Sequence, residues 1–227
     1  MLQNWINAID PQIILVSLTI VAGAYLIGSI NTSIIVGKLK SDIDIRDHGS
    51  GNAGATNALR TMGKVAGLLV LLGDALKAAV AMLAVIFLLP LFGFENVREY
   101  NPQFLYMAGV GTVLGHNFPI FFKFKGGKGI VVSTVAMIFA APLVGVSSLA
   151  VGVAVILITR YVSLGSMLGA ISSIVLAAIF IPTEIISADY RLLAFLLILT
   201  ILCLRMHSGN IARLLRKEEN KIGAKKS

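Results

Sequence analysis

The sequence predicts an all-α integral membrane protein of about seven transmembrane helices, some short or re-entrant, with the amino terminus outside and the carboxyl terminus cytoplasmic. Three observations predict it. Of the 227 residues, 57% are hydrophobic and 13% charged, with a mean hydropathy of +0.89; a soluble domain carries roughly 25% charged residues. Apolar runs of about 20 residues, each enough to cross a hydrocarbon core of about 30 Å, recur along the chain. None shows the strand alternation of a β-barrel, so the spans are helical.

The apolar segments fall near 13–39, 66–93, 104–122, 129–159, 165–182 and 192–204. The fourth, as one helix, would reach about 46 Å, too long for one crossing and short for two. Charge resolves it. Loop 40–64 carries Lys40, Arg46, Arg60 and Lys64, and loop 123–128 carries Lys123, Lys125 and Lys128. The tail carries Arg205, Arg213, Arg216, Lys217, Lys221, Lys225 and Lys226. Loops 94–103 and 183–191 hold only Arg98 and Arg191, beside Glu95, Glu99, Glu184 and Asp189. If 129–159 turns near Pro142 and crosses twice, every basic loop faces the cytoplasm, as the positive-inside rule requires. Residues 1–227 form one polytopic domain without an evident repeat.

The net charge of +8 is thus a statement about topology and the lipid bilayer, and no nucleic-acid partner is expected. The single cysteine, Cys203, lies in an apolar run and excludes a disulfide framework. No metal is expected: there is no H-E-x-x-H pattern, and Cys203 has no companion ligand. Residues 1–12 contain no Lys or Arg, which argues against a cleavable signal peptide.

The densest polar stretch runs from Arg46 to Arg60. Gly49-Ser50-Gly51-Asn52-Ala53-Gly54 matches G-x-G-x-x-G, but the dinucleotide reading needs a preceding buried strand, and Asp42–Asp47 is not one. The phosphate physics survives that exclusion. Glycines let backbone N–H groups converge, a following helix N-terminus favours an anion, and Arg46 and Arg60 add charge. Ser50, Asn52, Thr56 and Asn57 crowd the same turn. A second glycine loop, Gly126-Gly127-Lys128-Gly129, lacks the spacing of a Walker A loop yet offers backbone donors and a lysine beside a helix start.

Within the second span, Asp74 and Lys77 share one helix face and can neutralise each other; charges there face the bundle interior or a polar cavity. A structural ion pair and a substrate contact are both open readings. His116 and Asn117 end the third span, Ser163 and Ser166 flank Gly165, and His207 and Asn210 follow the last span, with Arg213 and Glu219 beyond. All lie on the face of the two glycine loops. No G-x-S-x-G elbow is present.

In ordered combination these residues resemble the bacterial acyl-phosphate:glycerol-3-phosphate acyltransferase family. The resemblance spans nearly the whole chain: Gly28-Ser29-Ile30, Arg46 to Arg60, Asp74-x-x-Lys77, Gly115-His116-Asn117-x-Pro119, Phe124-x-Gly126-Gly127-Lys128-Gly129, Ser163-x-Gly165-Ser166, and His207-x-x-Asn210-Ile211-x-Arg213-Leu214 with Glu219. Asn31, Ser33 and Ala78 depart from the proline and glycines that many members carry, which concerns helix packing more than chemistry.

The resemblance implies transfer of an acyl chain from acyl phosphate to the sn-1 hydroxyl of glycerol 3-phosphate, giving lysophosphatidic acid and phosphate. It implies no cofactor, and an active site on the cytoplasmic side of a bacterial inner membrane. Because acyl phosphate is a mixed anhydride, direct attack by the glycerol hydroxyl needs no protein nucleophile. The expected catalytic group is Arg46, Ser50, Asn52, His207 and Asn210, with Arg46 gripping phosphate. Substrate contacts are expected from Gly49, Gly51, Gly54, Thr56, Asn57, Arg60, Asp74, Lys77, His116, Asn117, Gly126–Gly129, Ser163, Ser166, Arg213 and Glu219. The base is open between His116, His207 and an oxygen of the acyl phosphate. The competing class is a transporter of a small phosphorylated anion, suggested by the intramembrane charges and possible re-entrant helices.

Overall fold

A computed structural model describes residues 11–99, 101–182, 186 and 189–223. Residues 1–10, Glu184 and the last two tail lysines, all weighed above, lie outside the described residues. Every regular element among the described residues is helical.

Helix α1 (Pro11–Gly28) and α2 (Thr32–Ser41) form one 31-residue apolar stretch interrupted at residues 29–31. Asn31 caps α2, its Oδ1 accepting from the amide of Ile34 at 3.1 Å. That side-chain cap diverts the amide that would have continued α1, so the break is written into the sequence. A loop with a short 3-10 turn at Ile45–Asp47 leads to α3 (Ala55–Met62), an amphipathic helix burying Asn57 and Ala58. Then come α4 (Lys64–Leu88) and α5 (Gln103–Asn117). The third apolar segment was expected to run to 122, but α5 stops at Asn117. Pro119 supplies no amide and disfavours helical backbone at Phe118.

Helix α6 (Ile130–Ala140) and α7 (Pro142–Thr159) are separated by Ala141 alone, so the chain breaks within a residue of the expected turn. A Cβ on Gly145 would lie 2.5 Å from the amide nitrogen of Ile138, which shows how tightly this hairpin folds back. The chain continues through α8 (Val162–Phe180), α9 (Tyr190–Met206) and α10 (Ser208–Leu215), the last two bent by 60° at His207.

Small residues set the closest packing, as membrane helices require. A Cβ on Gly28 would sit 2.2 Å from the carbonyl of Thr112, and one on Gly115 would sit 2.1 Å from that of Tyr25, so α1 and α5 nearly touch backbone to backbone. The interior is filled by Met82, Phe104, Val132, Phe195, Leu196 and Leu199. Large apolar side chains such as Leu18, Leu72, Phe87, Leu157 and Ile158 point outward, the inversion expected where lipid replaces water.

By length and composition four helices can cross a bilayer, or five if the bent α9–α10 pair counts as one span. Helices α5 and α6, with 15 and 11 residues, are shorter than the roughly 20 that a full crossing takes. One end of the bundle gathers loops 42–54, 118–129, 160–161 and the segment after α9. There Arg46 reaches the carbonyl of Phe122 (2.8 Å), Arg60 that of Asn220 (3.3 Å), and the amide of Ile222 that of Arg160 (2.8 Å). At the other end, Tyr106 reaches Asp189 (3.1 Å) and Arg191 reaches Gln103 (2.9 Å).

Candidate active site

Asn57 organises the first glycine loop. Its Nδ2 donates to the carbonyls of Ile45 (3.1 Å) and His48 (2.9 Å), and its Oδ1 accepts from the Ser50 amide at 2.9 Å. A buried amide thus saturates three backbone groups that the irregular loop cannot pair itself. Gly49 and Gly51 hold φ of +62° and +71°, and a Cβ on Gly49 would fall 2.2 Å from Asn57 Oδ1. Ser50 is exposed at the tip, while Asn52, Gly54 and Thr56 line the return into α3.

Arg46 is held between the two glycine loops. Its Nε and Nη2 fork onto the Asp44 carboxylate (2.9 and 2.6 Å), and Nη1 donates to the carbonyls of Phe122 and Lys125 (2.8 and 3.2 Å). The hydrogen-bonded guanidinium holds the Asp44 carboxyl at about 2, below its usual range. Arg46 therefore bolts the first loop to the second.

The second glycine loop is folded onto the end of α5. The amides of Gly126 and Gly127 donate to the carbonyls of Asn117 and His116, both at 3.1 Å. A Cβ on Gly127 would meet His116 Nε2 at 2.2 Å and the Ala53 carbonyl at 2.6 Å, so the two glycine loops touch at this residue. Gly129, with φ +75°, starts α6 beside Asn117, whose buried amide has no hydrogen-bond partner on either atom. An unpartnered amide aimed at a helix N-terminus is the kind of donor set that an anion completes.

Lys128 extends from this loop to the segment after α9. Its ammonium donates to Asn210 Oδ1, and Asn210 Nδ2 donates to Glu219 Oε1 at 2.7 Å. Ser163 and Arg213 reach the same carboxylate at 3.0 and 2.8 Å. Burial pulls the Lys128 ammonium down to about 8; Glu219 opposes this, while Arg213 and Arg60 add to it. Burial works to raise the Glu219 carboxyl, but hydrogen bonds from Asn210, Arg213 and Ser163 outweigh it and hold the group below its ordinary value. Beside them, His207 Nδ1 lies 2.8 Å from the Cys203 carbonyl. Only a ring N–H fits against that oxygen, so the neutral imidazole keeps its lone pair on Nε2.

Asp74, Lys77 and His116 stand apart from this group. Lys77 Nζ lies 2.9 Å from Asp74 Oδ1, 2.9 Å from His116 Nδ1 and 2.8 Å from the Ile30 carbonyl. The i,i+3 pair was legible in the sequence. Its union with His116 was not, because it depends on where α5 ends.

An apolar cavity of about 80 Å³ runs between α6, α7, α8 and α9, lined by Ile130, Met137, Gly152, Gly169, Leu199 and Cys203 among others. Ser166 also lines it rather than joining the polar group. The wall hydroxyls of Ser148 and Ser173 are turned back onto carbonyls of their own helices, at 2.6 and 2.7 Å, which leaves an alkyl surface. Its upper lining residues Ile130 and Cys203 lie two and four residues from Lys128 and His207. Gly165 and Gly169, at helix-contact spacing on α8, were the sequence signal for this packing.

The sequence model of a family described as glycerol-3-phosphate acyltransferase matches residues 18–217. This chain belongs to that family. The glycerol-3-phosphate acyltransferase of Alkaliphilus metalliredigens is 39% identical over 94% of this chain and 100% of its own length. That of Bacillus subtilis is 43% identical over 88% and 94%. A crystal structure of PlsY, an integral membrane glycerol 3-phosphate acyltransferase in its glycerol 3-phosphate form, matches at 33% identity with a TM-score of 0.79, covering 91% of this chain and 96% of that one. The family match includes every polar residue of the site except Glu219, which lies just past its end.

Proposed function

We propose that this glycerol-3-phosphate acyltransferase takes its acyl group from acyl phosphate and delivers it to the sn-1 hydroxyl of glycerol 3-phosphate, releasing lysophosphatidic acid and phosphate. One observation carries the reading: Lys128 bonds Asn210, Asn210 and Arg213 share the Glu219 carboxylate, and Ile130 and Cys203, two and four residues from Lys128 and His207, line an apolar cavity. Charge that suits phosphate thus adjoins a slot that suits an alkyl chain. The same PlsY enzyme solved in a lysophosphatidic acid form, 33% identical with a TM-score of 0.76, supports the product.

The donor's phosphate sits over the N-termini of α3 and α6, held by the first-turn amides of those helices, Ser50 and Asn117. Lys128, Asn210 and Arg213 hold the phosphate of glycerol 3-phosphate. The glycerol oxygen attacks the acyl carbonyl, the carbon–oxygen bond to the donor phosphate breaks, and phosphate departs with the electron pair. We assign the hydroxyl proton to His207 Nε2, because His116 Nε2 faces Gly127 and its Nδ1 lies against Lys77. Positioning and a fixed cationic field lower the barrier, and no acyl-enzyme forms.

The orientation follows from the same charges. The end bearing the glycine loops also carries Lys123, Lys125, Arg160, Arg216, Lys217 and Lys221, and the opposite end carries Arg98 and Arg191. We therefore assign the first to the cytoplasmic side of a bacterial inner membrane, with seven crossings in which α5 and α6 are short.

The test uses labelled palmitoyl phosphate and purified protein. Turnover lost in His207→Ala, with no palmitoyl group on the intact protein at any quench time, is the expected result. Full turnover in that variant contradicts the role of His207, and acyl-protein contradicts direct transfer.

A further inference from the structure

We infer that Asp74, Lys77 and His116 form a buried latch that positions Lys128, rather than a contact for substrate. The inference rests on the reading of Lys128 as a phosphate ligand. Its starting point is the interruption of α1. Because Asn31 Oδ1 takes the Ile34 amide, the Ile30 carbonyl has lost its helical partner, and Lys77 Nζ fills the vacancy at 2.8 Å.

Neighbours and burial then decide what Lys77 can do. An ammonium has three N–H groups and no lone pair. Ile30 O and His116 Nδ1 take hydrogen bonds at 2.8 and 2.9 Å, and the Asp74 carboxylate stands 2.9 Å away as the ion partner. Asp74, Lys77 and His116 are only 3%, 6% and 3% exposed, which leaves a substrate no approach. With Nδ1 accepting from Lys77, the His116 proton belongs on Nε2, the atom that faces Gly127.

At Gly127 the latch meets the site. The ring nitrogen on one side and the Ala53 carbonyl on the other leave no space for a methyl group, and Gly126 and Gly127 are hydrogen-bonded to the backbone of Asn117 and His116. The next residue is Lys128, reaching Asn210. A buried ion pair is a weak source of stability, so a triad that grips a helix break and wedges a glycine loop is better explained by placement. These are positioning residues: they act on chemistry only through Lys128.

A double-mutant cycle tests this. Lys77→Met and Gly127→Ala are each made in the native protein and in Lys128→Ala, with thermal unfolding in detergent confirming folded protein. His116→Gln, which spares an acceptor for Lys77 but removes the ring from Gly127, replaces Lys77→Met if that variant does not insert. Misplacement of a binding group by about 1 Å costs on the order of 10²-fold, and that loss in kcat/KM for glycerol 3-phosphate is expected when Lys128 is present. In the Lys128→Ala background the further loss should be under about 3-fold, because the two changes act on one element. Equal losses in both backgrounds overturn the latch. If Lys128→Ala alone retains native turnover, the reading of Lys128 fails and takes this inference with it.

Discussion

Lys128 donates a hydrogen bond to the side-chain oxygen of Asn210, joining two residues 82 positions apart in sequence. One sits in the turn that starts α6 and the other in the short helix beyond α9, so the site closes only when both ends of the bundle's second half are in place. Glu219 completes the contact by accepting from Asn210, Ser163 and Arg213.

The position of Lys128 predicts opposite pH trends for activity and stability. Burial holds its ammonium at about 8 rather than 10.5. As pH rises through 8 the native protein loses this charge, so KM for glycerol 3-phosphate should rise on that limb. Between about 8 and 10.5 the unfolded chain binds the extra proton, so the same group makes folding more favourable as pH rises there. Steady-state kinetics and thermal unfolding over that range check both signs, and Lys128→Ala should abolish both.

Removing Arg46 should unhook the loops from each other. Arg46→Ala leaves the Asp44 carboxylate and the carbonyls of Phe122 and Lys125 without their shared donor, and a loss of about 10²-fold in kcat/KM is expected. Arg46→Lys should not restore activity, since a point charge cannot span a forked carboxylate and two carbonyls. Native activity in Arg46→Lys would show that charge alone is needed there.

Asn57→Ala should destabilise before it touches chemistry. It strands the carbonyls of Ile45 and His48 and the amide of Ser50, at about 1–3 kcal/mol for each group that stays dry. Asn57→Asp retains the acceptor for Ser50 and loses both donations, so its melting temperature should also fall. Unfolding in detergent followed by circular dichroism measures both.

Much of this was visible in the sequence. The helical class, the break within a residue of Pro142, the two glycine loops and the Asp74–Lys77 pair all follow from period, charge and spacing. What the sequence withheld depends on contacts distant along the chain. Nothing local to Arg46 shows that the Phe122 and Lys125 carbonyls lie against it. That the His116 ring lies between Lys77 and Gly127 depends on where α5 ends, which no local pattern shows. The three backbone partners of the Asn57 amide lie 7 to 12 residues away, across an irregular loop that no periodicity describes. The apolar cavity was signalled only by glycine spacing on α8, which tells that helices approach but not what space they leave.

Glu219→Ala should lower activity through Asn210 rather than through the fold. Without the carboxylate, Lys128, Arg213 and Arg60 face one another uncompensated, and Asn210 Nδ2 loses its acceptor. KM for glycerol 3-phosphate should rise by about tenfold or more while the melting temperature stays close to native, because Glu219 lies beyond the packed helices. A large stability loss with unchanged KM would assign the residue to folding instead.

The choice of acyl donor separates direct transfer from acyl phosphate from every thioester route. Purified protein in detergent is given glycerol 3-phosphate with either palmitoyl phosphate or palmitoyl-coenzyme A, and lysophosphatidic acid and free phosphate are measured together. Direct transfer predicts equimolar lysophosphatidic acid and phosphate from palmitoyl phosphate and no product from the thioester. Product from palmitoyl-coenzyme A, or none from palmitoyl phosphate with folded protein, would contradict it.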